Sequence, residues 1–183
     1  MYRRVRKGPT YRSSSLFQFR YNGGVEFVRL EHFSVIGIEG RTSNAREATA
    51  QGLIGKMWQR FRSENLAARI PHRADSNLVA VYSEYEGDEN GEYTYTLGAK
   101  VSGISEVPQG LSVRQVPTAR YAVFTTERGP VNKVVADTWK RIWAERRSGA
   151  YARSYQADFE QYGADAKDPA NSRVTIYVGV RDQ

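Results

Sequence analysis

The sequence has no cysteine and only two histidines, His32 and His72. Without cysteine there is no disulfide, thiol nucleophile or thiolate metal ligand, and a zinc site would depend on carboxylates. We therefore expect neither a metal nor a cofactor, and we assign the histidines no role. No apolar run approaches the roughly eighteen residues of a membrane helix, and the N-terminus is charged where a secretory signal is apolar. These absences predict a cytoplasmic protein that does not enter membranes.

Acidic residues are missing from the first 20 positions, which hold six basic residues. These are Arg3, Arg4, Arg6, Lys7, Arg12 and Arg20. The net charge of the chain is +7, so the remaining residues, with 21 basic and 20 acidic side chains, are close to neutral. We interpret residues 1–24 as a basic leader that is either disordered or an extended start of the domain. A phosphate-binding arm and an Arg/Ser-rich targeting sequence are the alternatives.

Residues 25–183 are predicted to form a single domain. Its first part, residues 25–104, predicts a strand, a helix and a β-hairpin. Alternating apolar residues over 25–40 predict one long or broken strand. Asn44 and Glu47 have the spacing of a capping box, with Asn44 as the N-cap of a helix whose apolar residues follow at helical spacing. A hairpin then turns near residues 90–91, an Asn-Gly pair, after an acidic stretch typical of a solvated edge.

The same order of elements returns over residues 110–181. A strand is interrupted at Pro117, Pro130 lies in the first turn of a helix, and a second hairpin follows. The two halves can be aligned, with Trp58 on Trp139, Ser83 on Glu160, Tyr85 on Tyr162 and Gly98 on Gly179. We therefore predict a duplicated strand–helix–hairpin unit, with repeats over 25–104 and 110–181.

This order of elements is typical of the α+β class, with helices on one face of antiparallel sheets. Two such units joined edge to edge would leave their other sheet faces lining a shared cleft. A cleft between two pseudo-symmetric halves is a common place for a ligand. We therefore expect any binding site at the junction of the halves.

The segment "RSYQADFEQYG", residues 153–163, places acidic and aromatic residues on one predicted strand. Because side chains alternate along a strand, one face would carry Asp158, Glu160 and Tyr162. The other face would carry Tyr155, Ala157 and Phe159. An acid beside aromatic rings on one face indicates either a ligand site or a solvated strand residue opposite an arginine.

Several segments together are similar to one protein family. They are "GIEGRTSNARE", "IGKMWQRF", "AVYSEYEGDENGEYTYTLGAKV", "VPTARYAVFTTERGPV", "TWKRIW", "DFEQYG" and "VTIYVGVR", in the family's order. From Val25 to Arg181 the sequence resembles the GyrI-like small-molecule-binding domain, which is also the effector-binding module of AraC- and MerR-type regulators. The 24 residues before the domain are too few for a helix-turn-helix, so the resemblance implies a stand-alone module without direct DNA binding.

The resemblance also implies a site. In this family a glutamate on a strand of the second half, matched here by Glu160 of "DFEQY", lies in an aromatic cleft that accepts cationic or bulky aromatic compounds. The ligand-binding residues expected here are Glu160, Tyr162, Tyr85, Tyr82, Ser83, Trp58, Trp139 and Tyr93. The tryptophans lie on helical stripes, so a role in the core is the alternative for them.

The preferred hypothesis is non-enzymatic binding of small cationic or aromatic, drug-like compounds by a sensor or sequestering protein. One alternative is a hydrolase of reactive electrophiles that uses Glu160 with Tyr162. Another is a protein-interaction module like the family members that inhibit DNA gyrase. The fold alone does not choose among them. No sequence pattern identifies the natural ligand or an interface between subunits.

Overall fold

The computed structural model describes residues 18–20 and 25–182, the first three as backbone only, and has an α+β fold as predicted. The strands are β1 (Gln18–Arg20), β2 (Glu26–Leu30), β3 (Phe33–Ser43), β4 (Leu78–Ser83), β5 (Glu92–Val101), β6 (Ser112–Val116), β7 (Ala119–Thr125), β8 (Arg153–Tyr162) and β9 (Thr175–Val180). The helices are α1 (Asn44–Glu47), α2 (Ile54–Ser63) and α3 (Val131–Arg147). Two short 3-10 helices cover Leu66–Arg69 and Ala164–Ala166.

The described strands form one antiparallel sheet in the order β1-β2-β7-β9-β8-β4-β5-β3-β6. Strands β4 and β8 lie side by side near its centre, with Ala80 opposite Glu160. Outward from this pair, β5 corresponds to β9, β3 to β7 and β6 to β2. This order is compatible with the predicted duplication, and the duplication itself stays a prediction.

Two short links join strands from opposite ends of this order. Strand β6 ends at Val116 and β7 begins at Ala119, although β6 lies at one end of the sheet and β7 lies near the other. Three Cα–Cα steps span at most about 11 Å. Strands β2 and β3 are joined in the same way, where the predicted long strand is broken. The two ends of the sheet therefore approach each other, and the sheet is strongly curved.

One face of the sheet is packed inside this curve. Phe159 of β8 contacts Phe33 of β3 and Tyr121 of β7, with ring centroids 5.2 and 5.3 Å apart. Neither β3 nor β7 is a hydrogen-bonded neighbour of β8. Apolar side chains of distant strands thus bury one another, which removes their surface from water without a helix on that side.

The two longer helices cover the opposite face. Helix α2 buries Met57 and Phe61, and α3 buries Trp139 and Ile142, all within one hydrophobic cluster with side chains of the sheet. These residues recur at the three- and four-residue spacing of a helix face. The helices therefore hold their positions through apolar stripes that the sequence predicted.

The predicted capping box is wrong. Ser43, not Asn44, is the N-cap of α1, because its hydroxyl accepts the backbone N–H of Arg46 at 3.3 Å. The carboxylate of Glu47 instead accepts the two N–H groups that precede and open α2, at 2.8 and 3.1 Å. Two helices thus stand where the sequence predicted one. Pro130 likewise lies at the N-cap of α3, one position before the predicted first turn.

Within the predicted leader, residues 18–20 form the edge strand β1 on β2, which agrees with the alternative of an extended start. An open strand edge offers unpaired N–H and C=O groups, so a short segment can add to it. The rest of the leader lies outside the described residues. No helix in the described ranges is long and apolar enough to cross a membrane. Within the same ranges, no three potential metal ligands cluster.

Candidate functional site

A cavity of about 1070 Å³ lies between α2 and α3 above the centre of the sheet. Helix α2 contributes Ile54, Gly55, Trp58, Gln59, Arg62 and Ser63, and α3 contributes Val131, Asn132, Val135, Ala136, Trp139, Lys140 and Trp143. The strands and their connections contribute Asn44, Glu47, Ala48, Tyr82, Tyr85, Glu89, Tyr93, Tyr95, Arg153, Glu160 and Tyr162. The sequence predicted a cleft on the other face of the sheet. That prediction is wrong, because the curved sheet closes that face with its own side chains.

The carboxylate of Glu160 lies in the strand floor of the cavity and is only 1% exposed. Its Oε1 accepts the hydroxyl of Tyr82 at 2.8 Å and the indole N–H of Trp139 at 2.7 Å. Its Oε2 accepts the hydroxyl of Tyr162 at 2.5 Å. Across residues 25–182, no lysine or arginine forms an ion pair with Glu160. All three groups that bind this carboxylate are therefore neutral.

Burial raises the pKa of Glu160 above its ordinary value of 4.5, and the three hydrogen bonds offset part of the rise. The same burial, together with the nearby carboxylate, raises the pKa of Tyr82 well above its ordinary value. The pKa of Tyr162 is raised well above its ordinary value for the same two reasons, so the hydroxyls of Tyr82 and Tyr162 stay protonated and donate. The floor therefore presents an acid whose hydrogen-bond donors are neutral, and no cationic side chain of the described residues compensates its charge when it is ionised.

Asp158, two residues earlier on the same face, has different surroundings. Arg153 forms an ion pair with its Oδ2, to which Tyr85 also donates at 2.5 Å, and the N–H of Gly179 donates to Oδ1 at 2.8 Å. Asp158 and Arg153 are 0% and 3% exposed. The charge of Asp158 is thus neutralised inside the protein, whereas that of Glu160 is not.

Aromatic rings from both helices face the strand floor. The indole N–H of Trp58 donates to the hydroxyl of Tyr95 at 2.9 Å, and its ring meets that of Tyr162 with centroids 4.7 Å apart. On the α3 side, the rings of Trp139 and Tyr82 are 5.3 Å apart. Trp58 and Trp139 therefore serve as cavity walls as well as parts of the core.

Seven of the eight residues predicted for the site line this cavity, and Ser83 does not. Ser83 is paired with Ala157, which packs on the opposite face of the sheet. Because side chains alternate along β4, its neighbour Tyr82 faces the cavity beside Glu160. The alignment of the two halves placed Ser83 on the wrong face.

Tyr155 also departs from the predicted alternation. Its ring lies 5.5 Å from that of Tyr85 on the cavity side. The predicted alternation of side chains along the strand placed it on the other face. Its φ is +56°, and the pairing of β8 with β9 shifts register between Arg153 and Asp158. A β-bulge of this kind re-aims a side chain. The sequence carried no signal for it.

The predicted set missed Tyr95, Trp143, Arg62 and Arg153 among the lining residues. Arg62 and Trp143 each lie four residues after a predicted tryptophan, and Tyr95 lies two residues after Tyr93. Helix and strand periodicity could have found these three. Arg153 had no such signal, because its position depends on the bulge.

The arrangement of this curved sheet, its two helices and the cavity between them is that of the GyrI-like small-molecule-binding domain. The fold matches that of an integron cassette protein from the mobile metagenome of Vibrio cholerae, with a TM-score of 0.67 and 26% identity, over 92% of this chain and 100% of that one. It also matches the structure of SAV2435 bound to tetraphenylphosphonium, with a TM-score of 0.69 and 20% identity, over 86% and 93% of the two chains. At 20% identity, the second match concerns the fold alone.

The sequence places the protein more narrowly within this class. Residues 26–180 match the family described as integron-associated effector binding protein. YobU, a candidate transcriptional regulator of Bacillus subtilis (strain 168), is 33% identical over 146 residues, which cover 79% of this chain and 90% of YobU. The chain therefore belongs to the family of integron-associated effector-binding proteins.

Proposed function

We propose that the protein binds flat or bulky lipophilic cations in the cavity between α2 and α3, without turnover, and that Glu160 supplies the counter-charge. The observation that carries the proposal is the state of Glu160. It is a fully buried acid in an aromatic cavity, and no cationic side chain pairs with it in the described part of the chain.

The physical basis is the cost of an isolated buried charge. An ionised carboxylate in a low-dielectric site is disfavoured unless an opposite charge compensates it. A lipophilic cation would supply that charge where Coulomb attraction is stronger than in water. Each ring face that it contacts would contribute roughly 0.5 to 2 kcal/mol. Binding and neutralisation of Glu160 would therefore be one event.

The size of the cavity supports loose selectivity for drug-like compounds. Its volume of about 1070 Å³ exceeds what most small-molecule sites need. Rings and a single charge impose few directional constraints, so many cations of similar size would fit. The tetraphenylphosphonium bound to SAV2435 has this chemistry. With a family defined by effector binding, this supports a role as a sensor or sequestering protein.

The surroundings of Glu160 favour binding over hydrolysis. A general base must reach the water that it activates, and a proton donor must reach the leaving group. Here the carboxylate is 1% exposed, and Tyr162, the donor expected for hydrolysis, donates to Glu160 itself. Among the described residues, the exposed large apolar side chains are Ile104 and Val107, on one loop. Two side chains are too few to support a gyrase-type interface.

The test compares two phosphorus compounds of similar shape, methyltriphenylphosphonium and neutral triphenylphosphine oxide. We expect Glu160→Gln to weaken binding of the cation by about 1 to 3 kcal/mol. Binding of the oxide should change little, because the variant keeps the shape of the side chain and the oxide does not depend on the lost counter-charge. Tryptophan fluorescence and thermal shift report binding, since Trp58 and Trp139 line the cavity.

Glu106→Gln is the matched control, because it makes the same chemical change at an exposed loop position outside the cavity. It should bind both compounds as the wild type does. Equal losses for the cation and the oxide in Glu160→Gln would contradict the role of charge. If methyltriphenylphosphonium does not bind the wild type, the proposed function is refuted.

A further inference from the structure

Six charged side chains line the described part of the cavity, three of each sign. They are Glu47, Glu89, Glu160, Arg62, Lys140 and Arg153. A site for simple cations would be expected to have an excess of acidic groups. The balance of charges here raises the question of which of them a ligand can use.

Three of the six are satisfied within the protein. Glu47 caps the start of α2. Arg153 is paired with Asp158 and lies 3.7 Å from Glu89. Glu89 is 3.6 Å from Arg146 as well and accepts the hydroxyl of Tyr155. These three groups already form hydrogen bonds or ion pairs within the protein. A ligand would have to break those interactions to bind them.

Arg62 is different. It is exposed, lines the cavity, and holds its guanidinium 5.0 Å from the ring centroid of Trp58. Within the described chain no carboxylate forms an ion pair with it. Lys140 on α3 is also exposed, and it shares Asp137 with Lys133, which is the closer partner at 2.6 Å against 3.3 Å. An exposed lining residue lies where the cavity meets solvent, so the opening is basic on both helices.

The two ends of the cavity therefore carry opposite charges. The floor holds an acid without a cationic partner among the described residues, and basic groups lie at the opening. A ligand with one cationic group would compensate the floor and leave Arg62 without a partner. A second cation at the outer end of a ligand would be repelled. A carboxylate at that end would meet a guanidinium that presents a planar fork of donors.

We propose that the cavity selects amphoteric ligands, with a cationic aromatic head against Glu160 and an anionic group at the outer end that binds Arg62. This inference rests on the proposed function and specifies its ligand class. Arg62 is then a specificity-determining residue. Its contact with the wall at Trp58 keeps its charge over the cavity in the absence of ligand.

The test uses carboxybutyl triphenylphosphonium and its methyl ester, which share a cationic head and differ in the charge of the tail. The flexible arm lets the carboxylate reach Arg62 without a fixed separation. In 0.15 M salt, where distant exposed charges are screened, we expect the wild type to bind the acid about 2- to 5-fold more tightly than the ester. Arg62→Gln should remove this preference and leave affinity for the ester unchanged or increased.

Arg60→Gln is the matched control, because Arg60 is an exposed arginine of the same helix, paired with Glu64 and absent from the cavity lining. It should keep the preference for the acid. Equal binding of acid and ester by the wild type, or the same preference in Arg62→Gln, would overturn the proposal. If the ester still binds and depends on Glu160, the proposed function survives that result. If neither compound binds the wild type, both fail.

Discussion

Two carboxylates on β8 differ in how the protein compensates their charge. Asp158 is matched by Arg153, and removal of either partner would leave a buried charge uncompensated. Glu160 is matched only by neutral donors. Under the proposed function its charge would be compensated by a ligand, whereas the charge of Asp158 is already compensated within the fold.

The cost of holding Glu160 ionised predicts a pH-dependent difference in stability between wild type and Glu160→Gln. Because the pKa of Glu160 is raised in the folded state, the native protein binds this proton more tightly than the unfolded chain. The wild type therefore loses stability relative to the variant as pH rises through that raised pKa, and the loss is absent below the ordinary value of 4.5.

The measurement is the melting temperature of both proteins between about pH 4 and 8 without ligand. We expect the melting temperature of Glu160→Gln minus that of the wild type to increase with pH. Altered hydrogen bonds in the variant would add a constant amount to this difference in melting temperature at every pH. They would not change how the difference depends on pH. A difference that decreases with pH would show that Glu160 is stabilised as the ionised form in the free protein.

At the level of elements, the approach of β3 to β5 depends on two glycines. Gly37 and Gly98 are paired across the two strands, and a Cβ on Gly98 would overlap the carbonyl oxygen of Ile36. We expect Gly98→Ala to lower the free energy of unfolding by at least about 2 kcal/mol, because backbone atoms must move to admit the methyl group. Chemical denaturation measures the change.

Gly55→Ala is the control for that measurement. It adds the same methyl group in α2, where nothing lies within 4 Å of the added atom. Because glycine is a poor helix former, this change should stabilise the protein by about 0.5 to 1 kcal/mol. An unchanged unfolding free energy in Gly98→Ala would mean that β3 and β5 can separate at no cost.

Periodicity predicted those parts of the site that lie on regular elements. The stripes of α2 and α3 brought Trp58 and Trp139 to the cavity, and alternation along β8 brought Glu160 and Tyr162. It failed at Tyr155, where a local bulge changes the direction of the side chain. A bulge depends on the pairing partner across the sheet, so the sequence of one strand does not encode it alone.

The location of the cavity required the whole molecule. Strand order and curvature decide which sheet face is closed by its own side chains and which face the helices share. Neither follows from the order of elements, because the pairing of β4 with β8 and the two short links across the sheet are long-range features. The α+β class was predictable from the sequence, whereas the side of the sheet that carries the cavity was not.

Removal of residues 1–24 tests the role of the first segment in the whole molecule. The described lining residues run from Asn44 to Tyr162, and β1 pairs only with the outer edge of β2. We expect the truncated protein to bind methyltriphenylphosphonium within about twofold of wild type. Its melting temperature should fall by less than about 4 °C, which corresponds to roughly 1 kcal/mol at this size.

The full-length protein is the reference, and fluorescence titration and calorimetry are the measurements. A tenfold loss of affinity in the truncated protein would show that the first segment contributes to the cavity. Loss of cooperative unfolding would show that it is required for the sheet.

The pairing of β4 with β8 has a consequence for synthesis. The hydroxyl of Tyr82 and the carboxylate of Glu160 are 78 residues apart in the chain, so the floor cannot form until nearly all of β8 has been translated. Contacts between distant residues also form slowly, because a long loop must close first. A nascent chain therefore lacks the complete floor of the cavity until residue 160 has been synthesised. Under the proposed function, a ligand would stabilise only a chain in which β4 and β8 are already paired, and it would leave the earlier steps of folding unaffected.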